Sequence, residues 1–391
     1  MRVIIIGSGI AGLSAAIALR KVGQEVALYE RAPELREVGA GISLWANAMR
    51  ALDHIGAGDS VRERSLRMIH SEMRVREGRK VQVAMAAEAI ERRFKLREFV
   101  RLIHRADLVA ALSSHLPPGV TRYGHECVGV EVREKSAQVR FQNGQTDEAE
   151  MVIGADGIRS VIRTAILGPE EPRYSGYTCW RGICPRPANI ETGYVGEWWG
   201  RGQRLGITTI PGDRVYWFAV KNAPPNTRHT DNRTYLQEVF ANWAEPAQTL
   251  FAATEPNNII HSDIIDRPPV RNWSKGCVGI MGDAAHPTTP NLGQGGCIAI
   301  EDAVALARQL ATGAEPARAW EAFTAERYPR TKQIVQDSWQ FGQIAQKEGR
   351  LTCWLRDMVM ALLMKLSGSN AIVKNALFDI GPLSASQPYF A

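Results

Sequence analysis

Residues Val3 to Ile6 form an unbroken β-branched apolar run that stops at Gly7. Small and apolar residues then dominate Ile10 to Val22 in a helical pattern, and Val26 to Tyr29 is strand-like again up to Glu30. The pattern predicts strand, glycine turn, helix and strand within about thirty residues, which is a βαβ unit. Two further short apolar runs, Met151 to Gly154 and Cys277 to Met281, lead into Ala155-Asp156-Gly157 and Gly282-Asp283. Open α/β sheets bind ligands at the carboxyl ends of their strands, so three strands that each deliver a polar motif there predict a common site.

Between these runs, Val120 to Phe141 and Arg173 to Val220 alternate apolar and polar residues and are rich in Gly, Trp and Tyr, the pattern of antiparallel strands. From Ile298 the periodicity becomes helical, over Glu301 to Leu310, Pro316 to Gln346 and Leu351 to Lys365, with Gly313 and Gly349 as breaks and Pro316 near a helix start. The expected fold class is α/β: a Rossmann-type dinucleotide-binding domain interleaved with a β-sheet-rich second domain, plus C-terminal helices. The expected segmentation is 1–70 with 99–170 and 273–330 for the first, 71–98 with 171–272 for the second, and 331–391 for the helical segment.

At 391 residues with 23% charged residues, the chain has room for two or three domains and lacks the composition of disordered, collagen-like or coiled-coil chains. The formal charge is +6, but acids are scattered among the bases even in the densest stretch, Arg62 to Arg105. That favours small anions over nucleic acid as partners. The six cysteines form no CxxC pair and no Cys/His cluster at zinc spacing, so neither disulfides nor a metal are expected. The opening Met1 to Ile6 is too short for a signal peptide, and Leu351 to Leu366 is interrupted by Arg356, Asp357 and Lys365, short of a membrane span. A reduced, cytoplasmic protein is expected.

Gly7-Ser8-Gly9-Ile10-Ala11-Gly12 matches GxGxxG between a strand and a helix. Gly7 permits a tight turn, Gly9 lets the backbone approach a pyrophosphate, and Gly12 allows close helix–strand packing, while the helix N-terminus offers unpaired N–H groups. Glu30, at the end of the second strand, can accept hydrogen bonds from an unphosphorylated adenosine ribose, which favours FAD or NAD over NADP. Gly282-Asp283-Ala284-Ala285-His286-Pro287, followed by Pro290-Asn291-Leu292-Gly293-Gln294-Gly295-Gly296, places an acid at a strand end and glycines at a helix start. Asp283 can hold a ribityl hydroxyl, and the glycine N–H groups can face a phosphate or the electron-rich edge of a reduced flavin. His286 reads as a loop histidine held by its neighbours.

The glycine motif, Ala155-Asp156-Gly157-Ile158-Arg159-Ser160-Val161-Ile162-Arg163 and the Gly282 to Pro287 motif resemble, in order and spacing, the three fingerprints of single-component (group A) FAD-dependent aromatic hydroxylases of the p-hydroxybenzoate hydroxylase fold. The resemblance covers about Met1 to Arg330. Val38-Gly39-Ala40-Gly41-Ile42-Ser43 and Asn291 to Gly296 bring it nearest to the branch of FAD-dependent urate hydroxylase and zeaxanthin epoxidase-like enzymes. It implies that Ala11, Glu30, Arg31 and Ser43 touch FAD and that Arg105 reaches its phosphate or ribityl portion. It further implies that Asp283 with Gly293, Gln294, Gly295 and Gly296 holds the ribityl and isoalloxazine ends, and that Asp156 serves both FAD and NAD(P)H. The implied reaction is that of the family: transient NAD(P)H reduces FAD, and O2 captured as a flavin C4a-hydroperoxide hydroxylates a small aromatic substrate. The cofactor carries the hard chemistry, so no catalytic triad or metal is called for.

On the substrate side, Gln203 to Ile210 and Arg214 to Val220 read as two strands joined by Pro211-Gly212-Asp213. That hairpin places Arg204 and Tyr216 on one sheet face, roughly 13 Å apart along the strands. In urate hydroxylase-like enzymes an Arg and a Tyr at matching places attend the substrate, which makes these two the candidate catalytic pair. Cys179 stands where the urate hydroxylase pattern carries an Asn for a purine, which argues against urate. Trp180, Trp198, Trp199 and Trp217 are expected mainly as core or cross-strand pairs, some of them framing a planar substrate. Two alternatives stand beside the small-aromatic hydroxylase, as monomer or homodimer. One is an epoxidase or hydroxylase of a lipophilic quinone, terpenoid or carotenoid, with Trp354 to Leu366 lying on a membrane. The other is a non-catalytic FAD-binding accessory protein.

Overall fold

The computed structural model describes residues 1–34, 40–78, 85–367 and 373–383. Val38 and Gly39 lie outside the described residues. The chain opens with β1 (Arg2–Ile6), α1 (Ile10–Lys21) and β2 (Glu25–Tyr29), the βαβ unit that the apolar runs predict. It continues through β3 (Gly41–Trp45), α2 (Ala46–Ile55), α3 (Gly58–Glu63), β4 (Leu66–Arg67), β5 (His70–Val75), β6 (Met85–Ala86), α4 (Ala87–Phe94), β7 (Val100–His104) and α5 (Arg105–Ser113). Next come β8 (Thr121–Arg122), β9 (Cys127–Val132), β10 (Ala137–Phe141), β11 (Thr146–Ala149), β12 (Met151–Gly154) and α6 (Val161–Leu167). The long strands β13 (Arg173–Pro185), β14 (Tyr194–Trp199), β15 (Gln203–Ile210) and β16 (Arg214–Asn222) precede α7 (Asn232–Val239), α8 (Ala247–Ala252) and β17 (Ile260–Asp266). The chain then returns through β18 (Ser274–Lys275) and β19 (Val278–Ile280) and closes with α9 (Gly295–Ala311), α10 (Pro316–Ala345) and α11 (Arg350–Ser367).

The first sheet runs β18-β19-β12-β1-β2-β8, with β19, β12, β1, β2 and β8 mutually parallel. The three strands that deliver polar motifs, β1, β12 and β19, are neighbours, so their carboxyl ends open on one edge. Parallel strands covered on both faces are apolar throughout, and Val3, Ile4, Ile5, Met151, Val152, Ile153, Val278 and Ile280 are all fully buried. Helix α1 is buried almost all round because Gly12, Ala15, Ala16 and Ala18 let it lie between the sheet and α9. Thr121 and Arg122 differ from the sequence reading: they extend the parallel sheet beside β2, while β9, β10 and β11 form the antiparallel sheet.

The large sheet runs β17-β13-β16-β15-β14-β5-β6. Strand alternation gives it two different faces. Trp180, Trp198, Trp217, Leu205, Ile207 and Ala219 point to one face and pack with Leu236, Phe240, Leu250 and Phe251 of the α7–α8 region. The opposite register positions carry Tyr177, Cys179 and Arg181 on β13, Tyr216 and Phe218 on β16, Arg204 on β15, and Glu197 and Trp199 on β14. A small antiparallel sheet, β3-β7-β4, stands beside these.

An ionic cluster locks α9 to α10. Arg327 donates to Asp302 at 2.8 Å and to Glu301 at 2.7 Å, and Arg330 also reaches Glu301 at 2.7 Å, with both acids fully buried. Paired, hydrogen-bonded buried charges fix geometry more than they add stability. Here they sit about two turns into α9, on the side where Asp302 also holds the Gly282 amide of the site loop.

Candidate functional site

The edge where β1, β12 and β2 end encloses a cavity of about 560 Å³, within the range of ligand pockets. Its walls include Gly7, Gly9, Glu30, Arg31, Arg105, Asp156 and Asp283. Gly7 sits at φ +100°, and a Cβ there would stand 2.6 Å from the Ala155 carbonyl oxygen. A Cβ on Gly12 would fall 1.9 Å from the Gly7 carbonyl oxygen, so the first and third glycines are demanded by the packing of α1 on the turn. Gly9 differs: a Cβ there meets nothing within 4 Å, and the residue caps α1 on the cavity wall.

Glu30 is held at the rim. Its carboxylate accepts hydrogen bonds from the Ser8 amide and hydroxyl, both at 2.9 Å, and from the Ala32 amide at 2.9 Å. Asp156 accepts from the Val161 amide at 2.8 Å through Oδ2, while its Oδ1 is buried with no partner. Burial pushes the Asp156 carboxyl pKa up. A buried, unsatisfied acceptor on a cavity wall is the kind of group a ligand hydroxyl relieves. Asp283 is reachable through the cavity, yet the surrounding protein removes enough water to raise its pKa, against the pull of His286 and Arg105. Arg105 opens α5 and Arg31 lies exposed on the cavity rim.

The remaining predicted cofactor residues gather around the start of α9. Ala11 faces Gly282, where an added Cβ would approach the Ala11 Cβ to 2.8 Å. Gly293 adopts φ +63°, turning the chain into Gly295 and Gly296 at the first turn of α9. A Cβ on Gly296 would press on Ile42 at 2.9 Å, and one on Gly295 would lie 4.0 Å from Asp283 Oδ1. Gln294 is buried, takes a hydrogen bond from Asn47 at 3.0 Å, and leaves its Nε2 without a partner. Ser43 sits on β3 beside this turn, its carbonyl 3.7 Å from the Cys297 sulfur. Asp283 therefore connects the cavity group with the α9 group.

The motifs brace one another. Arg163 donates to the Ala284 and Ala285 carbonyls, each at 3.0 Å, tying the second motif to the third. His286 is buried against Asp302 at 2.6 Å, and the same carboxylate oxygen accepts from the Gly282 amide at 3.0 Å. His286 is thus a structural histidine of the loop, as its motif position suggested. Glu301 and Asp302 were not foreseen, although two adjacent acids within Cys297 to Val304, an otherwise apolar helical run, are their signal.

Arg204 and Tyr216 share a sheet face. Arg204 pairs with Val220 and Tyr216 with Thr208, four residues apart along each strand, as the hairpin reading placed them. Arg204 is buried: Nη2 donates to Asn291 at 2.7 Å, Nε to Gln346 at 2.9 Å, and Nη1 to Glu197 at 3.3 Å. Asn291 in turn donates to the Tyr177 hydroxyl at 2.8 Å. Tyr216 packs its ring against Gly41, where a Cβ would clash at 2.6 Å, and its phenol interacts with Arg181. Burial pushes the Tyr216 phenol pKa up, so it remains a neutral donor. The two residues reach different parts of the α9 group: Arg204 touches the 290–294 loop and Tyr216 the start of β3. Of the four tryptophans, Trp180, Trp198 and Trp217 lie in the opposite-face core, and Trp199 alone shares the Arg204 face, its indole donating to Glu197 at 2.9 Å.

A parallel βαβ sheet whose strand ends surround a ligand-sized cavity, beside a mostly antiparallel sheet with buried polar groups facing a glycine-opened helix, defines a nucleotide-dependent flavoprotein. The family of the FAD binding domain matches residues 1–338, and the chain belongs to it. It is 36% identical over 364 residues to an aurachin C monooxygenase/isomerase of Stigmatella aurantiaca, covering 93% of this chain and 94% of that one. It is 34% identical to an FAD-dependent urate hydroxylase of Mycolicibacterium vanbaalenii over 78% of each chain. The structure of Klebsiella pneumoniae HpxO complexed with FAD and uric acid superposes with a TM-score of 0.90 at 28% identity, over 98% of each chain. The chain is an FAD-dependent monooxygenase of the flavoprotein hydroxylase fold, with FAD as its cofactor, which removes the non-catalytic reading.

Proposed function

We propose that this monooxygenase uses NAD(P)H and O2 to hydroxylate a small aromatic or heteroaromatic compound held between the Arg204 face of the large sheet and the start of α9. The observation that carries this reading is the buried Arg204 guanidinium bonded to Asn291, two residues before Gly293. In this reading residues 1–70, 99–170 and 273–330 form the FAD-binding unit, 71–98 with 171–272 form the substrate unit, and 331–391 form the helical segment. Gly7, Gly9, Glu30 and Arg31 hold the adenosine and pyrophosphate, with Ala11 and Gly12 packed beneath the turn that presents them. Arg105, Asp156 and Asp283 face the central portion, and Ser43 with Gly293 to Gly296 borders the flavin ring.

Bound FAD supplies hydride acceptance from NAD(P)H and the reduction of O2, so that one oxygen atom enters the substrate and the other leaves as water. The chain's own residues orient and enclose. Arg204 presents a fixed positive charge toward an anionic or phenolic oxygen, held in place by Glu197, Asn291 and Gln346. Tyr216, kept neutral by burial, can donate a hydrogen bond to substrate oxygen. Both groups lie under protein with little access to bulk water, which protects a reactive oxygen donor.

Cys179 occupies the same face between Arg181 and Arg204 and is buried, with its thiol pKa pushed up by that burial. A neutral thiol is a weak hydrogen-bond partner and does not match a purine edge as an amide does. We infer a substrate other than urate, flat and bearing a hydroxyl or carboxylate. Steady-state NAD(P)H oxidation across hydroxyaromatics, purines and quinones, with product mass analysis, tests this reading. Stimulated consumption with one added oxygen in a non-purine product is expected; stimulation by urate alone would overturn the substrate assignment.

A further inference from the structure

We propose that α11 is a membrane-docking helix that rests its exposed apolar face on an anionic lipid bilayer. The face is defined by Leu351, Trp354, Leu355, Met358, Val359 and Leu362, each between 41% and 67% exposed. At 100° per residue these positions fall within an arc of about 140°. They recur at intervals of three and four, so they form one stripe along the helix. Outside this stripe and Ile344, just before it, the described residues hold only four exposed large hydrophobics, Ile69, Val128, Val132 and Ile260. Single exposed apolar residues are ordinary, whereas a contiguous stripe marks an interaction surface.

The other side of α11 is anchored to the protein. Cys353 and Arg356 are buried; the Cys353 thiol lies 3.0 Å from the Lys347 carbonyl. Arg356 donates to the Ala345 carbonyl at 2.9 Å and the Gly200 carbonyl at 3.1 Å, and stacks over Trp199. The helix therefore cannot turn its apolar stripe inward without breaking these bonds. The side chains of α11 beyond Leu362 lie outside the described residues.

Three observations favour a lipid surface over other occupants. The face lies beside exposed Arg201, Lys347 and Arg350, countered nearby by Glu348 and by Asp357, which is paired with Arg356. Basic residues at one end of an apolar stripe suit anionic headgroups. Trp354 is the residue type that settles at the headgroup level. Finally, the six described side chains, roughly half-exposed, offer about 600 Å², below the roughly 800 Å² per partner of a stable protein interface. No helix among the described residues is long and apolar enough to cross a membrane, so the contact would be peripheral. Docking would also bring the substrate side close to the bilayer, because Arg356 stacks on Trp199, whose indole donates to Glu197, the carboxylate beside Arg204.

Flotation of the FAD-loaded full chain with liposomes tests this independently of substrate. Phosphatidylcholine vesicles are compared with vesicles containing 30% phosphatidylglycerol (a ratio of roughly one charge per three lipids, where basic clusters bind). At least a fivefold enrichment of wild type on the anionic vesicles is expected, falling with added salt. Leu355→Glu with Met358→Glu, both outside the flavin and substrate regions, should abolish flotation while keeping the flavin spectrum. Should that variant misfold, the lipid and salt dependence of the wild type still decides. Absence of wild-type flotation overturns the proposal. So does a dimer in light scattering that the double variant dissolves, which would assign the face to a second copy. Flotation appearing only after removal of residues 384–391 would assign it to the chain's own tail and overturn it too.

Discussion

Arg204 of β15 donates to Asn291 in the turn before α9, with 2.7 Å between Nη2 and Oδ1. The bond joins the centre of the large, mostly antiparallel sheet to the loop that opens α9. Asn291 also takes part in hydrogen bonds to Tyr177, Thr289 and the Ser338 carbonyl, so Arg204 is aimed by a braced group. Arg204→Ala should retain FAD and lose about 10²- to 10³-fold in kcat/KM for the substrate. Asn291→Ala should show a smaller loss, about tenfold, chiefly in KM. Flavin absorbance and steady-state kinetics check both, and unchanged kinetics in Arg204→Ala would return Arg204 to a packing role.

Asp283 connects the cavity at the strand ends to the glycine turn at α9 and carries a carboxyl whose pKa is raised by the protein packed around it. Asp283→Ala should fold and bind FAD at least tenfold more weakly, measured by flavin retention through gel filtration. Full occupancy in this variant would remove its assigned role.

Gly12 and the βαβ turn were legible in the sequence because a turn, a helix and two strands must occur in fixed order to make that motif. The Arg204–Tyr216 register was legible because a three-residue hairpin loop sets facing positions. Asn291 was visible only as part of a motif, without its task, and Gln346 gave no signal at all. Its contact with Arg204 depends on where the end of α10 meets β15, a tertiary relationship of residues 142 positions apart. The tryptophans show the same limit: alternation separates Trp198 from Trp199 by face, but only the packing of α7 and α8 decides which face is core.

The ion cluster between α9 and α10 supports a stability prediction. Arg327 is fully buried and satisfies both Glu301 and Asp302. Arg327→Met leaves two buried carboxylates short of a partner, a change that costs about 3–5 kcal/mol. Thermal unfolding should shift downward by several degrees, with flavin released early because Asp302 also holds Gly282 and His286.

His261 should make the fold sensitive to mild acid. It stacks on Trp180 at 4.2 Å and lies 2.8 Å from the Thr178 hydroxyl. Burial first, then Arg228 and His229, lower its pKa to about 4 from an ordinary value of 6.5. The unfolded chain takes up a proton near pH 6.5 that the native chain accepts only near pH 4, so stability falls as the pH drops through that window. Because the ring is partly exposed, the effect is of order 1 kcal/mol. His261→Gln should flatten the thermal midpoint between pH 6.5 and 4; an unchanged slope would place the acid sensitivity elsewhere.

The central proposal is that oxygen transfer takes place where the sheet face carrying Arg204 and Tyr216 meets the start of α9. A single turnover of reduced enzyme with isotopically labelled O2 and a hydroxyaromatic substrate measures it directly. The wild type should yield product carrying one labelled oxygen, and Arg204→Ala should consume the same O2 while releasing hydrogen peroxide with little labelled product. Equal labelled product from both proteins would contradict the account.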